Sequence, residues 1–290
     1  MKISIFATTD VGFGRDNNED AFIFCPDLSR QDWSQGGTSD MTDLGHYGSL
    51  LVVADGMGGT NAGEVASAIA IGAVKSTFTA EVAKAATRSE EWMKALLCQA
   101  VIAADDAIDK HVQTHPDTAG MGTTIVICWI TASQAYIAWC GDSRCYVYNA
   151  TQGLRPLSKD HSYVQELIDQ GKLTEEEAFN HPDNNLITRG LGEFGIESVP
   201  DVVTCPVSVG DTFLLCSDGL CGYCTKQQIE EVMSANSANA RQCAEQLLQK
   251  ALHVKSEDNI CIVVGTILDD DGKSHQQQTK FQQFFKNIFG

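Results

Sequence analysis

The sequence lacks the long apolar segments that would place it in a membrane. No stretch approaches the ~18 consecutive apolar residues that a membrane-spanning helix needs. The first ten residues, MKISIFATTD, are also too short in apolar length for a secretory signal peptide, because Asp10 interrupts them. We therefore expect no transmembrane segment and a cytoplasmic location, in which the 11 cysteines would be reduced thiols.

Basic residues are also scarce. The chain has 20 Lys and Arg against 38 Asp and Glu, which gives a formal net charge of −18. Because nucleic acids and anionic membranes attract cationic surfaces, this balance argues against both as main partners. The 290 residues are 43% hydrophobic and 20% charged, a composition typical of a globular protein with one large domain or two small ones.

Strand and helix patterns follow one another in blocks rather than in strict alternation. Short β-like runs lead to the apolar run SLLVVA at residues 49–54, and helical spacing then predicts helices at about 62–82 and 90–115. Three close strands, a polar segment at 160–191, two more strands, helices over about 226–253 and a strand at 259–267 follow. This order predicts an α+β domain with layered, mostly antiparallel sheets.

Two segments stand apart from this pattern. The loop 26–48 is longer than the ~12–15 residues usual for a loop without structure of its own. A solvated hairpin extension is the favoured interpretation, and a role in substrate choice is the alternative. In the polar tail 269–290, apolar residues from Phe281 to Phe289 have helical spacing, so it could pack on its own domain, dock to a partner or membrane surface, or stay disordered.

Acidic residues recur at the predicted ends of buried strands. Asp55 follows LLVVA, Asp218 follows TFLLC, and Asp258 precedes ICIVV. Two bare carboxylates about 4 Å apart repel by roughly 4 kcal/mol at an effective dielectric of 20, so several could converge only around cations. A single Asp-Gly is usually a turn, but the recurrence indicates a site for Mg²⁺, Mn²⁺ or Ca²⁺, which prefer oxygen ligands.

A basic residue accompanies the first acidic segment. Arg15 precedes the sequence Asn18-Glu19-Asp20 by a few positions. A guanidinium beside a carboxylate–metal cluster offers two parallel N–H donors that fit a phosphate group. Arg15 is therefore the candidate for binding a phosphorylated ligand.

Six motifs in chain order resemble those of the metal-dependent protein serine/threonine phosphatases, the type 2C family. The motifs are GFGRDNNED (12–20), VADGMGG (53–59), MGTT (121–124), GDSR (141–144), CSDGL (216–220) and EDNI (257–260). Segment 157–192 resembles the bacterial branch. The resemblance implies an αββα sandwich of two antiparallel sheets flanked by helix pairs, with a catalytic domain at 1–268 that includes a flap at about 157–192.

The resemblance further implies a binuclear metal centre that binds Mg²⁺ or Mn²⁺. Asp55 would bridge the two ions, and the Gly56 carbonyl would bind one of them. Asp218 and Asp258 would bind the other. A water shared by two such ions becomes acidic enough to attack phosphorus near neutral pH, with no covalent phosphoenzyme.

Other acidic residues would complete the site. Glu19 and Asp20 would hold metal-bound waters or a metal directly, and Asp142, with help from Asp218, would match a third, weaker metal position. Arg15 would bind the substrate phosphate and stabilise charge on the phosphoryl oxygens. These roles predict an enzyme that hydrolyses phosphoserine or phosphothreonine in proteins and opposes a serine/threonine kinase.

Two alternatives from other classes stay open. A catalytically silent relative would bind phosphoproteins as a regulator, although Asp55, Asp218 and Asp258 are all present. An acidic Ca²⁺-binding module would need a compact loop of alternating Asp and Asn ligands, and the sequence has none. Cysteine-dependent phosphatase chemistry is excluded because no cysteine has an arginine six positions later.

The source of the leaving-group proton departs from the family pattern. Met57 and Thr60 stand at positions where relatives carry histidine. His161 is the nearest remaining candidate, a structural role in the flap is an equal alternative, and a metal-bound water could also supply the proton.

Overall fold

The computed structural model describes residues 1–37, 41–58, 62–192 and 196–272. Its strands are β1 (Lys2–Asp10), β2 (Asp20–Cys25), β3 (Thr42–Asp43), β4 (Ser49–Met57), β5 (Gly122–Thr123), β6 (Ile125–Ile130), β7 (Gln134–Cys140), β8 (Arg144–Asn149), β9 (Gly153–Pro156), β10 (Leu191–Gly192), β11 (Asp201–Pro206), β12 (Thr212–Cys216) and β13 (Ile260–Leu268). Its helices are α1 (Gly63–Thr77), α2 (Ala80–Ala86), α3 (Glu90–Thr114), α4 (Tyr163–Asp169), α5 (Glu175–Phe179), α6 (Asp218–Cys221), α7 (Lys226–Asn236) and α8 (Ala240–His253).

The strands form two antiparallel sheets. The first has the order β3-β1-β13-β12-β8-β9, and the second has the order β10-β5-β4-β6-β7-β11, with β2 paired to β4 outside this path. The central strands β4, β6, β12 and β13 are buried along almost their whole length, which explains their continuous apolar sequences.

Three layers of apolar side chains hold the sheets and helices together. Inward-facing residues such as Phe24, Val263 and Phe213 fill the space between the sheets. Helices α1 to α3 cover the outer face of the second sheet, and α6 to α8 cover the outer face of the first. The predicted αββα sandwich is therefore confirmed.

Helix α3 shows why the amphipathic pattern located this element well. Ser89 caps its first turn by accepting a hydrogen bond from the Trp92 amide, and Glu90 and Glu91 favour the positive end of the helix dipole. Leu97, Val101 and most other apolar residues of the pattern are buried, whereas Trp92 in the first turn is exposed. The structure places the helix at residues 90–114, against 90–115 predicted.

The helix predicted at 62–82 is wrong in its extent, because the structure divides it into α1 and α2. The break lies at Phe78, whose buried side chain fills the core, and at Thr79, which has an extended backbone. Thr79 caps α2 by accepting a hydrogen bond from the Val82 amide at 3.3 Å. A helix-capping threonine inside an apolar pattern therefore ended one helix and began the next.

The predicted flap region, 157–192, contains α4, α5 and β10. Its end is held to α3 by Asp105, whose carboxylate accepts hydrogen bonds from the Gly192 amide at 2.8 Å and from the Ser198 hydroxyl at 2.6 Å. The loop 26–48 contributes the edge strand β3 and buries Leu28 completely. The apolar part of the tail, from Phe281 to Phe289, lies outside the described residues.

No single described helix has the length and apolarity needed to cross a membrane. Among the described helices, α1 and α2 reach those limits only when they are taken together, and they meet at a bend of 69°.

Candidate active site

Strands of both sheets bring five acidic residues to one end of the sandwich. In the second sheet, Asp20 at the start of β2 lies opposite Asp55 near the end of β4. Asp142 occupies the turn between β7 and β8. From the first sheet, Asp218 begins α6, separated from the end of β12 by one residue, and Asp258 lies just before β13.

The pKa values of these carboxyl groups report their proximity. Burial raises the pKa of Asp55 well above its ordinary value, and the charges of Asp20, Asp218 and Asp142 raise it further. The pKa of Asp20 is likewise raised by burial and by its acidic neighbours. Four carboxylates from distant parts of the sequence therefore interact with one another electrostatically.

Asp218 is the common member of these interactions. Burial, followed by the charge of Asp258, raises the pKa of Asp218 to about 6, while the charges of Arg15 and Arg144 act in the opposite direction. Burial also raises the pKa of Asp142, and Asp218 is the largest charge acting on it. The predicted third position, Asp142 with Asp218, is thus adjacent to the predicted binuclear centre.

Two carboxylate oxygens in this cluster are buried without a partner. They are Oδ1 of Asp20 and Oδ1 of Asp218. The second oxygen of Asp20 accepts a hydrogen bond from the Ser217 hydroxyl at 2.7 Å. Burying a carboxylate oxygen without a partner costs free energy. A cation bound between these oxygens would remove that cost.

The donor set therefore fits hard divalent cations, with one qualification of geometry. In the part of the chain that the structure describes, no three His, Cys, Asp or Glu side chains form a ready coordination sphere. The fold brings the carboxylates together, and an ion would have to draw them onto a common centre. All five clustered acids offer only oxygen, the ligand that Mg²⁺ and Mn²⁺ prefer.

Gly56 is packed too tightly for any side chain. A Cβ at this position would lie 2.2 Å from the Gly63 carbonyl oxygen and 2.6 Å from that of Glu19. The Gly56 amide donates a hydrogen bond to the Glu19 carbonyl at 3.1 Å. Glycine at position 56 lets β4, the start of α1 and the Glu19 loop meet at the carboxylate cluster.

Glu19 lies at the edge of the cluster. Burial is the main cause that raises its pKa, and Arg15 acts in the opposite direction. Its carbonyl oxygen also accepts a hydrogen bond from the Ser67 hydroxyl of α1 at 2.6 Å. The side chain of Glu19 is therefore near the other acids but less enclosed than Asp20 or Asp55.

Arg15 forms an ion pair with one of the candidate metal ligands and is exposed at the surface. Its Nη2 atom lies 2.8 Å from Oδ2 of Asp258, and the Arg15 side chain is 55% exposed. The remaining guanidinium N–H groups can therefore face an incoming ligand. The sequence predicted Arg15 at the site but did not predict its ion pair with Asp258.

Asn259 and Ser217 are two buried residues whose roles were missed from the sequence. The Asn259 side chain accepts a hydrogen bond from the Glu19 amide at 2.8 Å and donates to the carbonyls of Val11 and Asn17. Ser217 donates to Asp20 and accepts from the Cys261 amide at 2.9 Å. Both residues lie beside acidic residues in the recognised motifs, which was the available signal.

His161 has both ring nitrogens engaged. Its Nδ1 accepts a hydrogen bond from the Gly141 amide at 3.2 Å, and its Nε2 lies 3.3 Å from a carboxylate oxygen of Asp201. The ring stacks on Trp139 with a centroid distance of 5.8 Å. These contacts support the structural interpretation of His161, because the ring links the flap to the turn that carries Asp142. Met57 ends β4, and Thr60 lies outside the described residues.

The fold and this acidic cluster define a class of protein, and comparison with known families identifies it. The model of the protein phosphatase 2C family matches residues 27–254. The chain therefore belongs to this family, as the six motifs predicted, and it is a protein phosphatase.

Named relatives and solved structures agree with this membership. The serine/threonine phosphatase stp of Listeria monocytogenes is 35% identical over 216 residues, which is 74% of this chain and 83% of the relative. The crystal structure of the Mycobacterium tuberculosis serine/threonine phosphatase PstP/Ppp matches with a TM-score of 0.75 and 32% identity, covering 92% of this chain and 100% of that one.

A further structure bears on the metal content of the family. The catalytic domain of PstP, solved in complex with two manganese ions, matches with a TM-score of 0.72 and 31% identity. It covers 93% of this chain and 100% of that chain.

Proposed function

We propose that this protein hydrolyses phosphoserine and phosphothreonine in proteins with the help of Mg²⁺ or Mn²⁺. One observation carries the proposal: acids of both sheets form a largely half-buried cluster that contains two buried, unpaired carboxylate oxygens, beside the half-exposed Arg15. The family and the serine/threonine phosphatases among the relatives support the same substrate class.

The proposed metal ligands follow the sequence prediction. Asp55 and Gly56 would hold one ion, and Asp55, Asp218 and Asp258 would hold the second. Two ions is the number in the related PstP structure. Glu19 and Asp20 would hold waters of the ions or one ion directly, and Asp142 would offer, with Asp218, a third and weaker position.

The ions, Arg15 and Ser217 would each have a different role in phosphate binding and hydrolysis. Divalent ions at this cluster would supply an acidified water and positive charge for the phosphoryl oxygens. Arg15 would bind the phosphate through guanidinium N–H groups that its contact with Asp258 leaves free. Ser217 would keep Asp20 oriented by donating to one of its oxygens.

The partners of such an enzyme would be phosphorylated proteins and a serine/threonine kinase that it opposes. The net charge of −18 argues against nucleic acid as a partner. A catalytically silent family member remains the alternative function, in which the same cluster and Arg15 would bind phosphoproteins without turnover.

One assay separates the two functions. Hydrolysis of p-nitrophenyl phosphate and of a phosphothreonine peptide would be measured with Mn²⁺ and then with EDTA. Phosphatase activity predicts release of phosphate from both substrates, lost in EDTA and in Asp55→Asn. The exposed Asp117, replaced by Asn, is the matched control and should keep activity. Peptide binding without phosphate release would favour the silent relative.

A further inference from the structure

An aromatic side chain is exposed in the loop that carries Arg15. Phe13 has 64% of its surface exposed, the highest value among the large hydrophobic residues that the structure describes as exposed. A single exposed aromatic residue is not unusual on a protein surface. Phe13, however, lies two residues before Arg15, the proposed phosphate-binding residue, and this position indicates a function.

The loop that presents Phe13 is fixed to the active-site segment. The Phe13 amide donates a hydrogen bond to the Ser256 carbonyl at 2.9 Å, and the Gly14 amide donates to the Glu257 carbonyl at 3.1 Å. These bonds connect the loop to the residues just before Asp258. Phe13 is thus exposed on an anchored backbone.

The two flanking glycines press this backbone against its neighbour. A Cβ on Gly12 would lie 2.1 Å from the Asp258 carbonyl oxygen, and a Cβ on Gly14 would lie 2.4 Å from that of Glu257. Side chains at 12 and 14 would therefore collide with the segment before β13. From residue 12 to residue 14, only Phe13 can project a side chain.

The short chain separation of Phe13 and Arg15 limits the distance between them to the length of a few peptide residues. Two residues of extended chain span at most ~7 Å. A substrate peptide in an extended conformation advances ~3.3 Å per residue. If Arg15 binds the phosphate, the Phe13 ring is therefore within reach of a substrate side chain one or two positions from the phosphorylated residue.

The charges around Phe13 favour a peptide over a membrane. Asp16 and Glu257, which flank the loop, are exposed acidic residues. With a net charge of −18, the chain as a whole would be repelled by an anionic bilayer. An apolar side chain of a substrate, in contrast, can cover the Phe13 ring without approaching these carboxylates closely.

We propose that Phe13 is a substrate-specificity residue, which contacts an apolar side chain one or two positions from the phosphorylated serine or threonine. This inference rests on the proposed function, because it takes Arg15 as the phosphate-binding group. The contact would favour substrates with Leu or a similar residue at that position over substrates with Gly.

The test uses two sets of phosphothreonine peptides. In one set the varied position is one residue from the phosphothreonine, and in the other set it is two residues away. Within each set the peptides differ only in having Leu or Gly at the varied position. For the wild-type protein with Mn²⁺, we expect kcat/KM to be roughly 5- to 10-fold higher for a Leu peptide, as for partial burial of one apolar side chain. Phe13→Ala should reduce this ratio to below about 2, and Phe13→Leu should restore part of it. Trp92→Ala removes another exposed aromatic residue, on α3, and should keep the wild-type ratio.

Binding of the same peptides, labelled with fluorescein and measured by anisotropy, separates this inference from the proposed function. A Leu preference in Kd that Phe13→Ala abolishes supports the inference even if no phosphate is released, an outcome that would overturn only the proposed hydrolysis. An equal Leu-to-Gly ratio in the wild type and in Phe13→Ala, in both Kd and kcat/KM, would overturn the role of Phe13.

Discussion

The Asn259 side chain accepts a hydrogen bond from the backbone amide of Glu19 at 2.8 Å, although 240 residues separate them in the sequence. The same side chain donates to the carbonyls of Val11 and Asn17 at 2.9 and 2.8 Å. Asn259 therefore ties the loop that carries Arg15 and Glu19 to the strand that follows Asp258.

Replacing Asn259 by Ala should destabilise the protein by about 2–3 kcal/mol, because it leaves one part-buried amide and two part-buried carbonyls without the partners that Asn259 provides. Urea unfolding followed by circular dichroism would measure this loss. Asn184, which is exposed and donates to the Phe179 carbonyl at 3.1 Å, is the control. Asn184→Ala should change the free energy of unfolding by less than about 0.5 kcal/mol. Equal effects of the two substitutions would contradict the role given to Asn259.

Removal of divalent ions should lower the thermal stability of the wild-type protein. Burial and acidic neighbours raise the pKa values of Asp20, Asp55 and Asp218, and bound cations would compensate the charges of these carboxylates. A ligand at 100 times its Kd stabilises a fold by about 2.7 kcal/mol, which corresponds to a shift in Tm of roughly 5 °C or more. Differential scanning calorimetry with Mn²⁺ and with EDTA measures the shift.

The variant Asp218→Asn should keep the fold and lose most of this metal-dependent shift. In EDTA its Tm should equal or exceed that of the wild type, because one buried charge has been removed from the cluster. Asp117→Asn is again the control, with a wild-type shift. A full Mn²⁺-dependent shift in Asp218→Asn would show that Asp218 is not a metal ligand.

Buried apolar strands were the part of the fold that local sequence patterns determined best. The run TFLLC predicted β12 at its observed bounds, because all five residues are buried and a continuous apolar run identifies such a strand. Strand β9 was missed, since it has only four residues, of which Leu154 alone is buried, and this is too short for an apolar pattern. The end of α1 before Thr79 was not predicted, because the apolar periodicity of the sequence continues past Thr79. The capping preference of this threonine outweighs that periodicity in the structure.

In the candidate site, too, the sequence predicted some features and missed others. The acids were found because each lies in a short motif beside a strand end. The hydrogen bond from Ser217 to Asp20 joins residues 197 positions apart, and no local pattern predicts which partner a buried hydroxyl will find. The same holds for the ion pair of Arg15 with Asp258, which depends on how the two sheets pack.

Arg15→Ala should reduce kcat/KM for a phosphothreonine peptide by about 10- to 100-fold, the effect of losing charge-assisted hydrogen bonds to phosphate. Mn²⁺ affinity should change by less than about 5-fold, because the Arg15 side chain is 55% exposed and such ion pairs contribute little. Steady-state kinetics and titration calorimetry measure the two quantities.

The conservative variant Arg15→Lys should fall between the wild type and Arg15→Ala, since lysine keeps the charge but lacks the planar fork. Arg241→Ala removes another exposed arginine, paired with Glu245, and should leave both quantities unchanged. A large loss of Mn²⁺ affinity in Arg15→Ala would instead assign Arg15 to the support of Asp258.

His161 should make the stability of the fold depend on pH. Burial lowers the pKa of His161 below its ordinary value of 6.5, and the charge of Arg189 acts in the same direction, against Asp201 and Asp160. The unfolded chain then binds the proton more readily, so the stability contributed by neutral His161 is complete above pH 6.5 and declines as the pH falls toward the folded-state pKa. Between pH 7.5 and 5, wild-type protein should therefore lose more free energy of unfolding than His161→Asn, whose side chain can still accept from Gly141. Urea unfolding at several pH values measures this difference, and parallel curves for the two proteins would contradict it.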